Sequence, residues 1–224
     1  MNGGWRRKGR AAIRTLVLGG ALAAGASGAQ AHPHVFIDGG VDFVFAEDGR
    51  LQALHVTWRF DAFETLYMLS AHGVGTRPDG TLEEADRDRL RNGLDEWPDA
   101  FDGSAHLTID AEPVSLSLPR DLDVDVVDGR LEMRFTRTLA SPEPLSGKAV
   151  ELGFYEATYY YEMALTEEPQ IAGPGDCETE VTLFEADQAL TVVQTTLFEL
   201  GREETPTMPN VGALFADRIT LECA

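Results

Sequence analysis

The chain has 224 residues, 43% of them hydrophobic, and sets 38 acidic against 18 basic side chains for a formal net charge of −20. A surface of that sign repels polyanions, which excludes nucleic acid and anionic lipid as partners. Only two cysteines are present, so a disulfide-dense scaffold is excluded as well.

Arg6, Arg7, Lys8, Arg10 and Arg14 open the sequence, an apolar stretch runs from Leu16 to about Ala26, and Ala29-Gln30-Ala31 follows. Basic, apolar and small-residue regions in that order predict a secretory signal peptide over residues 1–31, cut after Ala31. The apolar run falls short of the roughly 20 residues a membrane helix takes. The exported chain is therefore expected in the periplasm and not embedded in a membrane. Cleavage removes five basic residues and no acid, leaving 193 residues at a net charge of −25. That length suits a single α+β domain over residues 32–224. In an oxidising compartment, Cys177 and Cys223 predict one disulfide. The alternative, a pair of metal thiolates, lacks the close CxxC spacing.

The exported chain starts His32-Pro33-His34-Val35-Phe36-Ile37-Asp38. Val35, Ile37, Gly39, Val41 and Phe43 alternate with His34, Phe36, Asp38, Gly40 and Asp42, the period of a strand with one buried face. Asp48-Gly49 is a hairpin signal. Folding residues 51–60 back across it sets Phe43 opposite Leu54, Val41 opposite Val56, and Gly39 opposite Trp58, where the glycine leaves room for the indole. On the other face Asp42 meets His55 and Asp38 meets Arg59. His34, Asp38, Asp42 and His55 thus point the same way.

Phe63, Leu66, Tyr67 and Ser70 recur at helical spacing between residues 61 and 71, which predicts an amphipathic helix. Thr81, with Glu84 three residues on, predicts an N-cap and a second helix to about Trp97. The acidic loop 75–86 between them has the outline of an EF-hand. Gly75 and Arg77 stand where its leading carboxylates belong, so the pair reads as a structural helical hairpin.

Strands return after Pro98. Residues 106–109 and 114–116 form one hairpin. Leu122, Val124 and Val126 fold across Asp128-Gly129 onto Phe135, Met133 and Leu131. Residues 149–154 predict a strand, 155–161 a tyrosine-rich turn leading into a strand to Leu165, 186–200 a helix, and 215–223 a short helix and a last strand. The order predicts an α+β fold, mainly antiparallel β-sheet with an inserted helical hairpin at about 61–97 and a late helix.

Histidines two apart on a strand lie about 7 Å apart on one side, close enough to converge on an ion. As first residue, His32 adds an α-amine that ionises near pH 8, and amine plus imidazole make a bidentate clamp. Imidazole suits zinc, nickel and copper, and a carboxylate supplies a hard ligand. His32, His34, Asp38 and His55 are therefore candidate ligands of a divalent metal. Pro33 has no amide N–H, which excludes the square-planar amide-bound copper/nickel motif. The structural alternatives are an Asp38–Arg59 ion pair and an Asp42–His55 hydrogen bond. No nucleophile elbow, H-E-x-x-H or paired catalytic carboxylate stands out, so no enzyme is expected.

His-Pro-His-Val-Phe-Ile-Asp at 32–38, Trp58-Arg-Phe-Asp-Ala-Phe-Glu64, Phe154-Tyr-Glu-Ala-Thr-Tyr-Tyr160 and the closing Cys223 resemble the domain of unknown function 1007 family, over essentially the whole exported chain. That resemblance implies the periplasmic component of an uncharacterised ABC-type transport system, beside nickel/cobalt-type transporters. It implies metal handling, with a membrane metal transporter as partner. The expected function is a periplasmic accessory protein that holds a divalent metal. The alternative is an envelope protein-interaction module with no metal role, whose contact surface is the 155–161 stretch.

Overall fold

The alternating segment that follows His34 forms β1 (Val35–Phe45), which hairpins with β2 (Leu51–Phe60). The computed structural model describes residues 33–98, 101, 103–201 and 204–224. The signal peptide expected over residues 1–31, and His32, lie outside the described residues. Alternation and turn chemistry set the register as expected: Phe43 faces Leu54, Val41 faces Val56, Gly39 faces Trp58, Asp42 faces His55 and Asp38 faces Arg59. The turn is longer than the two-residue form, closed by the Ala46 amide on the Arg50 carbonyl and the Gly49 amide on the Ala46 carbonyl.

β2 pairs on its other side with β6 (Arg130–Glu143), and β6 with β5 (Arg120–Val127). β5 keeps the expected register at Val124–Met133 and Val126–Leu131, but an irregularity between Arg120 and Asp123 takes Leu122 out of the ladder. Asp121, at φ +54°, marks the place. β8 (Tyr161–Leu165) and β9 (Ile171–Ala172) add to β1 in parallel, so the sheet is mixed and β1 is an interior strand.

A second sheet has the order β10 (Cys177–Thr182), β11 (Asp217–Cys223), β7 (Val150–Phe154), β3 (Ala105–Ile109), β4 (Glu112–Pro113). The expected hairpin forms with its return strand at Glu112–Pro113 rather than 114–116; the Val114 amide still donates to the Leu107 carbonyl, and Leu116 then bridges to Leu139. Both sheets contribute to one apolar cluster: Ile37, Val41, Val56 and Trp58 from the first, Leu107, Leu152, Phe154 and Ile219 from the second. Mostly antiparallel sheet with separate helices makes this an α+β fold.

Cys177 and Cys223 are directly opposed in β10 and β11 and are joined by a disulfide. Closing a loop of 46 residues restricts the unfolded chain by about 4 kcal/mol in the entropic treatment, with observed values commonly about 2–4 kcal/mol. The double variant Cys177→Ser/Cys223→Ser should therefore unfold at a denaturant midpoint corresponding to about 3 kcal/mol less stability. Its circular dichroism should stay native-like, because β11 still pairs along β7. An unchanged midpoint would show that the bond constrains nothing.

Between β2 and β3 stand α1 (Ala62–Ala71) and α2 (Glu84–Leu94); α3 (Gln188–Phe198) follows later. Asp61 caps α1, its Oδ1 accepting from the amides of Phe63 at 2.7 Å and Glu64 at 2.9 Å. α2 begins later than expected, with Glu83 at the N-cap position. Thr81 is drawn away from a capping role by Asp79, whose Oδ1 accepts from its amide and its hydroxyl. Those two donors hold the Asp79 carboxyl below the usual carboxylate range.

The apolar stripe of α1 faces solvent. Phe63, Leu66 and Tyr67 are 77%, 68% and 59% exposed, whereas Thr65 and Leu69 are buried. Two contacts fix the roll of the helix. The Thr65 hydroxyl donates to the Asp61 carbonyl and accepts from the Leu131 amide of β6. The Asp61 carboxylate meanwhile accepts from the Phe36 amide at the start of β1.

Candidate functional site

The pairing register lines up Asp38, Arg59, Glu132 and Asp125 as one row across β1, β2, β6 and β5. Arginine neutralises this row throughout. Arg59 donates to Glu132 Oε2 through both Nε and Nη2, and its Nη2 also reaches Glu167 at 3.0 Å. Arg134 takes the other oxygen of Glu132. Arg87 of α2 pairs with Asp125 at 2.7 Å. Arg130 pairs with Asp38 at 2.5 Å and donates to the carbonyls of Arg59 and Phe60. The expected Asp38–Arg59 pair gives way to this arrangement. Arg59 lies between two acids in the row and turns to Glu132, the buried one, leaving Asp38 to Arg130.

The candidate metal ligands fall at separate points along β1. His34 precedes the strand; its amide donates to the Tyr160 carbonyl at 2.9 Å, and its ring sits 4.8 Å from the Tyr160 ring. Asp38 is four residues on, about 13 Å away at strand rise, and carries the Arg130 ion pair. His55 faces Asp42, eight residues from His34 or about 26 Å of strand. Asp42 is occupied in turn, its Oδ1 accepting from the Gln170 amide. Among the described residues, no three His, Cys, Asp or Glu side chains converge as metal ligands. His34, Asp38 and His55 thus share a face but not a site. His32 lies outside the described residues, so its pairing with His34 rests on sequence spacing.

Beyond Tyr155, the tyrosine-rich segment is a built turn. Glu156 accepts from the Thr158 amide, the Thr158 hydroxyl and the Tyr160 amide. Tyr159 is buried in a small second cluster with Leu197, Val211 and Phe215. Its hydroxyl donates to Glu162 and accepts from the Gln194 amide group. Burial, then the charge of Glu162, pushes its ionisation far above the ordinary tyrosine range. Tyr155, Tyr160 and Tyr161 are half-buried. The stretch is therefore part of the packing more than a contact surface.

Large exposed apolar side chains lie elsewhere, Leu183 and Val192 around α3 among them. Phe36, 49% exposed, follows His34 on the same face of the chain, and its backbone is bonded to Asp61 at the head of α1. From there Phe63, Leu66 and Tyr67 continue along the helix. The sequence signal for this surface was visible, but helical spacing of apolar residues gives a stripe without saying whether the core or solvent receives it.

Among the described residues, no helix is long and apolar enough to cross a membrane. The family model that matches the chain, over residues 17–223, is described as "Protein of unknown function (DUF1007)". No curated protein matches it.

Proposed function

The chain belongs to the DUF1007 family, and we propose that it is a periplasmic accessory protein of a membrane metal transporter, without an enzymatic activity of its own. The observation that carries this reading is the exposed Phe36, Phe63, Leu66 and Tyr67 surface beside the point where the chain enters β1. An exposed apolar patch on an otherwise charged protein is the usual mark of a docking site. α1 carries Glu64 and no basic residue, and the chain as a whole is strongly acidic. Two copies would repel each other, as would an anionic leaflet. The partner surface that fits is an apolar groove on a transporter, rimmed with lysine or arginine.

At the same end, His32 and His34 take up a divalent metal, zinc, nickel or copper. His34 is suited to this because Tyr160 fixes its ring and its backbone. Asp38 and His55 take no part, the one engaged by Arg130 and the other too far along the strand. The acidic surface speeds cation arrival.

Calorimetric titration of the exported protein with zinc, nickel and copper tests the metal site. One ion per chain is expected, bound about tenfold more weakly, or about 1.4 kcal/mol, in His34→Ala and in His32→Ala. Equal affinity in all three proteins overturns it. The exposed helix face also favours a second reading, an interaction module without a metal role. Transporter co-purification that is lost in Leu66→Glu but survives both chelator and His34→Ala would select that one.

A further inference from the structure

A cavity of about 380 Å³ opens beside the end of α2, walled by Trp58, Trp97, Phe101 and Tyr161 together with apolar side chains. Its ionic groups are Glu96 and Glu156; among the described residues, no lysine or arginine lines it. Trp97 and Phe101 lie 4.6 Å apart and stand nearly edge-on to Trp58, at 6.3 Å and 5.8 Å. Aromatic walls of this kind attract cations through the ring quadrupoles. The three donors to Glu156 are neutral, so no guanidinium or ammonium cancels its charge through those bonds. Tyr161 registers the resulting negative field: burial first, then the charges of Glu64, Tyr160 and Glu156, push its hydroxyl up to about 12.

Trp58 is 6% exposed and forms part of the wall. An anion would meet two carboxylates. A purely apolar ligand would gain from the aromatic walls but strip water from those carboxylates without pairing them. A cation satisfies both the rings and the carboxylates. We propose that this cavity binds a small organic cation of the alkylammonium type, its ammonium against the rings and carboxylates.

Removal of residues 1–31 takes Trp5 with it, so the exported chain carries Trp58 and Trp97 as its tryptophans, both in the cavity wall. Intrinsic fluorescence therefore reads the site directly. The probes are choline and 3,3-dimethyl-1-butanol, in which carbon replaces the cationic nitrogen. Choline should give a saturable change, with the neutral alcohol about tenfold weaker. Trp97→Leu, a half-buried position that keeps Trp58 as reporter, should weaken choline by a similar factor. Circular dichroism of that variant guards against misfolding, and Glu96→Gln, at an exposed position, should weaken choline about threefold without touching the core. The proposal is overturned by no saturable response to choline, by the alcohol binding as tightly as choline, or by both variants binding like the parent.

Discussion

Replacing Arg59 with methionine should lower the free energy of unfolding by about 3 kcal/mol. The reason lies with its partner. Glu132 has 1% of its side chain exposed, and Arg59 supplies two donors to one of its oxygens. Removing one member of a buried pair costs roughly 3–5 kcal/mol, because the charge left behind keeps its desolvation penalty. The lower end applies here, since Arg134 still reaches the other oxygen and Arg59 itself is 28% exposed. The double variant Arg59→Met/Glu132→Leu should recover most of the loss, as apolar replacement of a whole buried pair often does. Urea unfolding of the three proteins is the measurement. A loss under about 1 kcal/mol in Arg59→Met would place this row among ordinary surface pairs.

Gly39→Ala should be as damaging, or should prevent folding. A Cβ at this position would lie 2.0 Å from the carbonyl oxygen of Thr57 and 3.3 Å from the ring of Phe154. Neither neighbour can retreat cheaply. Gly39 is paired to Trp58 on one side and Leu165 on the other, and its own carbonyl accepts from the amides of Thr166 and Glu167. Overpacking in a fixed backbone costs about 1–3 kcal/mol and sometimes more; a clash with main chain sits at the upper end. Gly75→Ala, where nothing lies within 4 Å, is the control and should change stability by less than about 0.5 kcal/mol. Equal midpoints for the two variants would mean that β1 yields more readily than its pairing indicates. The glycine was expected to make room for the Trp58 indole. What it admits is the neighbouring strand's backbone, together with a phenylalanine from the opposite sheet.

The hairpins across Asp48-Gly49 and Asp128-Gly129 were readable because each combines period-two alternation with an Asp-Gly turn, and those two signals together fix a register. The disulfide was expected from two cysteines and the compartment that the opening residues predict. Less was readable where neighbours come from afar. β10 is an edge strand of alternating acids and small residues, half-exposed on its better face, and offers no apolar face to detect. The parallel partners of β1 carry no local signature at all. For the candidate ligands, the alternation gave direction but not proximity: sharing a face says nothing about the four- and eight-residue spacings that separate His34 from Asp38 and from the position opposite His55. Asp38 went to Arg130 because Arg59 had a buried competitor in Glu132, and β6 could not be placed beside β2 from the sequence. The aromatic cavity was hidden for the same reason, since Trp58, Trp97 and Tyr161 meet only once β2, the segment after α2 and β8 are assembled.

The place of β1 in the middle of its sheet also bears on how the molecule comes to be folded. Its first residues pair with Tyr161 to Leu165, more than a hundred positions later, so the sheet cannot close until most of the polypeptide has been delivered. Contacts of such long range make for slow assembly. On the proposed export route the chain would be threaded amino terminus first through a narrow pore, and that delay would leave the leading segment unpaired with β8 until the remainder has arrived.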